Sequence, residues 1–139
     1  MRYKRSLMVV MGIFLFGTLA FAAEPAQEKR YIATVDPDGV QRVEMLGGGY
    51  YFDPNLIVVK VNVPVELKVR KEGGFAPHDI VMKAPEAGMD FAQELRSEPA
   101  RIRFTPTKTG RYEFECTKKL LYFESHKERG MHGVFQVVE

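Results

Sequence analysis

The sequence predicts an all-β domain, built as an antiparallel sandwich or barrel. Short apolar-rich runs recur along the chain, and several of them alternate strictly between apolar and polar residues. Turn sequences rich in glycine, proline and aspartate separate these runs. No long amphipathic helical pattern lies between them, and the region 83–98 has room for at most a short helix.

The first 22 residues are interpreted as an export signal. Three basic residues precede an apolar run at 7–21, and Ala20 and Ala22 have the small-x-small spacing of a cleavage site. A retained membrane anchor is the alternative. The apolar run has 15 residues, fewer than the about 20 that a helix needs to cross a bilayer. We therefore expect a periplasmic or otherwise exported protein, without a stable membrane anchor after signal cleavage.

Cleavage after Ala22 would leave a flexible leader at 23–30 and a single domain at 31–139. The mature chain would carry 17 basic and 18 acidic residues, so its charge predicts neither nucleic acid nor a membrane surface as a partner. We expect a monomer. An exported chain with one cysteine, Cys116, cannot form an internal disulfide. Its thiol is buried, reactive, metal-bound or paired to another chain.

The domain begins with two apolar runs, 31–35 and 40–45, on either side of the turn sequence DPDG. This arrangement predicts a hairpin or two edge strands. The triple glycine at 47–49 predicts a bulge or turn. A phosphate-binding loop is the alternative, but neither a lysine–hydroxyl pair nor a helical pattern follows.

The middle of the chain holds the clearest strand patterns. The run at 56–61 is rich in β-branched residues, and 65–69 alternates between apolar and charged residues, so both are predicted strands. A glycine-rich loop at 71–77 then leads to His78, which opens another extended segment. The region 83–98 is the least strand-like and is interpreted as a variable loop.

The C-terminal third alternates again. A strand is predicted at 101–104, and the sequence TPTKTG at 105–110 predicts the turn before a strand that ends at Cys116. Alternation places Cys116 on the same apolar face as Tyr112 and Phe114. The chain closes with a predicted strand at 134–138.

Four side chains in this pattern are candidate metal ligands: His78, Cys116, His126 and Met131. Imidazole, thiolate and thioether groups are soft or borderline, and together they suit copper better than calcium or magnesium. Three of them also fit ordinary roles when taken alone: Cys116 as a buried thiol, His126 as an exposed loop histidine and Met131 as a core residue. The joint order of cysteine, histidine and methionine before a terminal strand favours a site.

Over roughly 50–139 the sequence resembles the cupredoxins, the blue-copper proteins. The resemblance rests on PHDI at 77–80, FTPTKTGRYEFEC at 104–116 and the ending GMHGVFQVVE. It implies a Greek-key β-sandwich binding Cu(I)/Cu(II). In that arrangement His78 and His126 supply imidazole nitrogens, Cys116 a short thiolate bond and Met131 a weak axial sulfur, which is the electron-transfer copper arrangement.

The loop between Cys116 and His126 departs from small plastocyanin-like members, because nine residues separate the two ligands. The type 1 centre of copper nitrite reductases resembles this chain in having a long loop there. The five-residue step from His126 to Met131 matches the family. His132 is expected to point away from the site if Met131 points toward it. Asp79 either orients the backbone of the site or faces water.

The leading hypothesis is one-electron transfer through a mononuclear type 1-like copper site, with redox partner proteins docking at Leu120, Leu121 and Phe123. Two alternatives remain open: a copper carrier or homeostasis protein using the same ligands without redox turnover, and a metal-free β-sandwich binding module with Cys116 buried. An enzyme is the least favoured, because the sequence has no serine–histidine–acid order, paired carboxylates or second metal cluster.

Overall fold

Two β-sheets pack against each other around a single apolar core. The computed structural model describes residues 27–139, so the predicted export signal at 1–22 and the first part of the leader lie outside the described residues. Within 27–139 the strands are β1 (Arg30–Ile32), β2 (Gln41–Gly48), β3 (Tyr51–Asp53), β4 (Leu56–Lys60), β5 (Val65–Lys71), β6 (Asp79–Ala84), β7 (Met89–Glu94), β8 (Ala100–Phe104), β9 (Gly110–Glu115) and β10 (His132–Val138).

The strand order is β1-β4-β10-β9-β6-β7 in a six-stranded sheet and β3-β2-β5-β8 in a four-stranded sheet. The chain passes repeatedly from one sheet to the other, as in a Greek-key sandwich, and the predicted all-β fold class is confirmed. The strands are not all antiparallel, however. The pairs β1–β4, β4–β10 and β2–β5 are parallel, because the chain crosses to the other sheet between the two members of each pair.

The core lies between the sheets, where alternate residues of the strands other than β1 point inward. Val43 and Leu67 contribute from the four-stranded sheet, and Ile57 and Phe135 from the six-stranded sheet, all at most 1% exposed. Phe114 packs between the rings of Phe52 and Phe135, with both centroid distances 5.3 Å. Phe114 is the buried residue of β9, and Cys116 follows two positions later on the same face, so the candidate ligand lies beside this aromatic cluster.

The predicted N-terminal hairpin forms only at its turn, where a single antiparallel bridge joins Val35 to Gln41. The DPDG turn does form, since the amide of Gly39 donates to the carbonyl of Asp36 and Gly39 has a φ of +79°. The strands on either side of it join different sheets: β1 is an edge strand, as expected, but β2 lies between β3 and β5. A turn sequence fixes where the chain reverses and leaves open which strands pair.

The triple glycine is only partly a turn. Gly47 and Gly48 belong to β2, and Gly49 with Tyr50 makes the turn into β3. A Cβ on Gly48 would lie 2.7 Å from the carbonyl oxygen of Glu72. Glycine is needed there because another backbone segment passes close to the strand.

The interpretation of 83–98 as a variable loop is also wrong. β6 continues to Ala84, a single 3-10 turn covers Pro85–Ala87, and β7 then pairs with β6 along its whole length. The sequence predicts at most a short helix in this region, and the 3-10 turn at Pro85–Ala87 is the helix that forms there. In the described part of the chain, no helix has the length and apolar character needed to cross a membrane.

Candidate metal centre

Three of the predicted ligands meet at one end of the six-stranded sheet. β6 and β9 are antiparallel, with Val81 opposite Glu115, so the start of β6 lies beside the end of β9. His78 immediately precedes β6 and Cys116 immediately follows β9. His126 returns to this point from the loop that joins β9 to β10. The strand pairing alone therefore brings the histidine and the cysteine together across 38 residues of sequence.

The ligand atoms form a compact triangle. The distances are 4.0 Å from Cys116 Sγ to His78 Nδ1, 3.5 Å from Cys116 Sγ to His126 Nδ1, and 3.1 Å between the two Nδ1 atoms. A point inside this triangle is about 2.1 Å from all three atoms, close to the about 2.0–2.3 Å of metal bonds to imidazole and thiolate. All three residues are buried. The three donors fit one metal ion.

Backbone hydrogen bonds connect the ligand residues to one another. The amide of Cys116 donates to the carbonyl of Met131 at 3.0 Å, and the amide of Met131 donates to the carbonyl of His126 at 2.9 Å. The amide of His126 in turn donates to the carbonyl of Lys118. Met131 is fully buried and is joined to both Cys116 and His126 through its backbone, and its role as the axial ligand stays a prediction.

Asp79 faces the protein rather than water. Its carboxylate accepts hydrogen bonds from the backbone amide and the hydroxyl of Thr117, each at 2.6 Å, and it is only 7% exposed. These bonds join the residue after His78 to the residue after Cys116. Of the two alternatives for Asp79, the structure therefore supports the one in which it orients the backbone of the site.

Three solved structures resemble this architecture. The metal-binding domain of the Cu(I)-exporting P-type ATPase CopA of Streptococcus pneumoniae, solved with Cu(I), is 20% identical, with a TM-score of 0.61 over 81% of this chain and 99% of that one. A copper-binding protein solved by NMR in the apo form is 24% identical, with a TM-score of 0.56 over 78% and 96%. Auracyanin A, a "blue" copper protein of Chloroflexus aurantiacus, is 17% identical, with a TM-score of 0.53 over 72% and 100%. The chain has the cupredoxin fold.

At these identities the likeness to cupredoxins is one of fold. No protein-family model matches the sequence. A search of curated protein sequences gives no match either. The chemistry of the centre is therefore argued from its own residues.

Burial favours the neutral form of both histidines, because it lowers the pKa of each. Desolvation lowers the pKa of His78 below its usual 6.5, and the nearby His126 lowers it further. The pKa of His126 is lowered first by burial and then by the positive charge of Arg129. Burial also raises the pKa of the Cys116 thiol above 9.0. Neutral imidazoles are ready to bind a metal, whereas the thiol must release a proton when it does so.

Tyr50 covers the centre, a role that the sequence did not reveal. Its ring meets His126 edge-on with centroids 4.9 Å apart, and it lies 6.2 Å from the ring of His78. Tyr50 has a φ of +66°, a left-handed conformation that costs a non-glycine residue about 1–2 kcal/mol. The only hint in the sequence is an aromatic residue directly after the triple glycine.

His132 lies at the surface, outside the ligand triangle. It is exposed, as the alternation argument expects, and it opens β10 opposite Glu115. The structure therefore brings together His78, Cys116 and His126, places Met131 beside them, and leaves His132 outside. That these residues bind a metal stays a prediction.

Replacing Asp79 with alanine should lower the free energy of unfolding by about 1–3 kcal/mol, because Thr117 loses acceptors for both its amide and its hydroxyl. Urea denaturation of the metal-free protein measures this change. Asp90→Ala is the matched control, since it removes only an exposed ion pair with Lys83. Equal destabilisation by the two variants would contradict the role given to Asp79.

The metal-free protein should be most stable between about pH 6.5 and pH 9. As the pH falls below 6.5, histidines in the unfolded chain take up protons that folded His78 and His126 resist, so stability is lost. As the pH rises above 9.0, the unfolded thiol ionises before the buried Cys116, and stability is lost again. Urea midpoints across this range measure both effects. Cys116→Ser should weaken only the alkaline loss, and an unchanged alkaline loss in that variant would count against this assignment.

Proposed function

We propose that this chain is an exported copper protein that carries one electron at a time through a mononuclear centre at His78, Cys116 and His126. The observation that carries the proposal is the buried triangle of two imidazole Nδ1 atoms and one sulfur, with room for a single ion at bonding distance from each. Met131 is proposed as the weak axial ligand. The proposal that the protein is exported rests on the basic residues and the apolar run within the first 22 residues.

Copper fits this donor set better than other common ions. Calcium and magnesium need oxygen ligands, and no acidic side chain belongs to the His78–Cys116–His126 group. Structural zinc sites have four strong ligands in a tetrahedron, whereas two histidines and one cysteine with a distant thioether are typical of electron-transfer copper. The three similar structures are all described as copper proteins, which agrees with this choice.

The residues supply a rigid binding site shielded from solvent, and bound copper would supply the Cu(I)/Cu(II) couple. His78 and Cys116 are held at the ends of paired strands, and His126 is held by backbone hydrogen bonds from both directions. Ligands held in fixed positions suit electron transfer, because the charge of the copper changes while the geometry of the site stays nearly constant. We propose no catalytic activity, since the proposed centre uses His78, Cys116, His126 and Met131, and His132 is the one histidine of the sequence left for a second metal.

Copper carriage is the second candidate. It is favoured by the likeness to the metal-binding domain of a Cu(I)-exporting ATPase, which has a TM-score of 0.61. A carrier would bind Cu(I) and release it to an acceptor, with no need for a reversible couple. Voltammetry of the copper-loaded protein distinguishes the two functions, because only the electron-transfer protein requires fast and reversible exchange between both oxidation states.

The loop after Cys116 is the proposed docking surface for redox partner proteins. Four consecutive apolar or aromatic residues are exposed there: Leu120 by 59%, Leu121 by 77%, Tyr122 by 100% and Phe123 by 64%. Leu120 and Phe123 line a depression of about 150 Å³ that reaches His126. Exposed apolar patches of this kind mark interaction sites. A partner bound here would approach the copper through a ligand ring.

The copper-loaded mature protein should show an intense visible absorption from charge transfer between the Cys116 thiolate and Cu(II). Cys116→Ser should abolish this band, because an alcohol cannot replace the thiolate. Visible spectroscopy and metal analysis of protein from copper-replete medium measure the result. A colourless one-to-one copper complex would sink the electron-transfer proposal. Protein that takes up no copper at all would favour the metal-free binding module.

Tyr122→Ser should slow electron self-exchange between oxidised and reduced copies of the protein by about fivefold or more, because the encounter loses an exposed aromatic contact. NMR line broadening in mixtures of the two oxidation states measures the rate. Ile32→Ser is the control, since Ile32 is 61% exposed on the edge strand β1. Equal rates for the two variants would argue against docking through the loop.

A further inference from the structure

Arg129 lies over the ring of Tyr50, the residue that covers the ligand triangle. Its guanidinium carbon is 3.9 Å from the centre of the Tyr50 ring, and that ring is 4.9 Å from the ring of His126. The guanidinium is therefore within about 9 Å of a candidate ligand, close enough for its charge to act on a buried centre. A cation over an aromatic face is itself attracted to the ring.

The loop holds Arg129 in this position by backbone contacts. The amide of Arg129 donates to the carbonyl of Ser125 at 3.1 Å, and the amide of Gly130 donates to the carbonyl of Lys127. Gly130 also packs against the backbone of Tyr50, where a Cβ would lie 3.7 Å from the carbonyl oxygen. The segment before Met131 therefore lies against the turn that carries Tyr50.

The charge of Arg129 is not cancelled by a neighbouring carboxylate. Throughout residues 27–139, the arginine ion pairs involve Arg42, Arg96, Arg101 and Arg103. The acidic residues beside Arg129 have other partners: Glu128 accepts from the amide and hydroxyl of Ser125, and Glu115 pairs with Lys127. Glu124 lines the same depression as Arg129 and His126, but within residues 27–139 it forms no ion pair with Arg129, so the guanidinium remains unpaired.

This charge affects the two oxidation states of copper unequally. Cu(II) carries one more positive charge than Cu(I), so a fixed cation nearby disfavours the oxidised form more than the reduced form. We propose that Arg129, held in place by Tyr50, raises the reduction potential of copper bound at this centre. The inference rests on the proposed function.

The test is the reduction potential of Arg129→Gln. This variant should have a lower midpoint potential, with Cu(I) affinity relative to Cu(II) affinity reduced by about two- to twentyfold and with an unchanged visible spectrum. The difference should shrink as salt is added, because the guanidinium is exposed to solvent. Arg129→Lys keeps the charge and should restore most of the potential. Arg111→Gln removes an equal charge from the opposite end of β9 and should have little effect.

The role of Tyr50 is tested by a double-variant cycle. Tyr50→Leu should lower the potential by releasing Arg129, and the combination with Arg129→Gln should lower it no further than Arg129→Gln alone. Additive effects would overturn the link between the two residues.

A potential for Arg129→Gln equal to that of Arg111→Gln would overturn the inference while leaving the copper centre intact. Loss of the visible band in Arg129→Gln would overturn it too, since Arg129 would then hold the structure of the site. A wild-type protein without the band would mean that the proposed function itself has failed, which is a distinct result.

Discussion

The candidate centre depends on the antiparallel register between β6 and β9. Val81 lies opposite Glu115 and Met82 opposite Phe114, and the same register continued outward places Asp79 opposite Thr117. A shift of one residue would turn the side chains of one strand to the other face and separate the histidine from the sulfur. The carboxylate of Asp79, bound twice to Thr117, fixes the register at the point where the strands end.

The fold class could be predicted from the sequence because alternation of apolar residues is a local property of each strand. Pairing is not local, and this is why the sequence on either side of the DPDG turn predicts a hairpin although β1 and β2 belong to different sheets. β7 could not be predicted for a different reason. Its sequence, MDFAQE, is rich in residues that favour helices, and its strand conformation comes from pairing along the whole length of β6.

The candidate ligands could be predicted because residue type and order along the chain are enough to indicate a metal-binding group. A lone cysteine that ends a strand, followed by a histidine and a methionine, supplies three soft or borderline donors within sixteen residues. His78 is a fourth candidate far upstream, and the resemblance to cupredoxins implies the same set of four. The contacts of Tyr50 and Arg129 could not be predicted in this way. They join a turn of the four-stranded sheet to a loop of the six-stranded sheet, and nothing in the spacing of 79 residues between them indicates that they meet.

Tyr50, which covers the centre, and the ligands His78 and Cys116 belong to parts of the fold that can open separately. Tyr50 is carried by a two-residue turn beside the short edge strand β3, whereas His78 and Cys116 are held by pairings inside the larger sheet. Local opening of the turn would uncover His126 without separating β6 from β9, and it requires far less free energy than unfolding the sheet. How fast solvent or copper exchanges with the centre and how stable the fold is are therefore two independent properties of this protein.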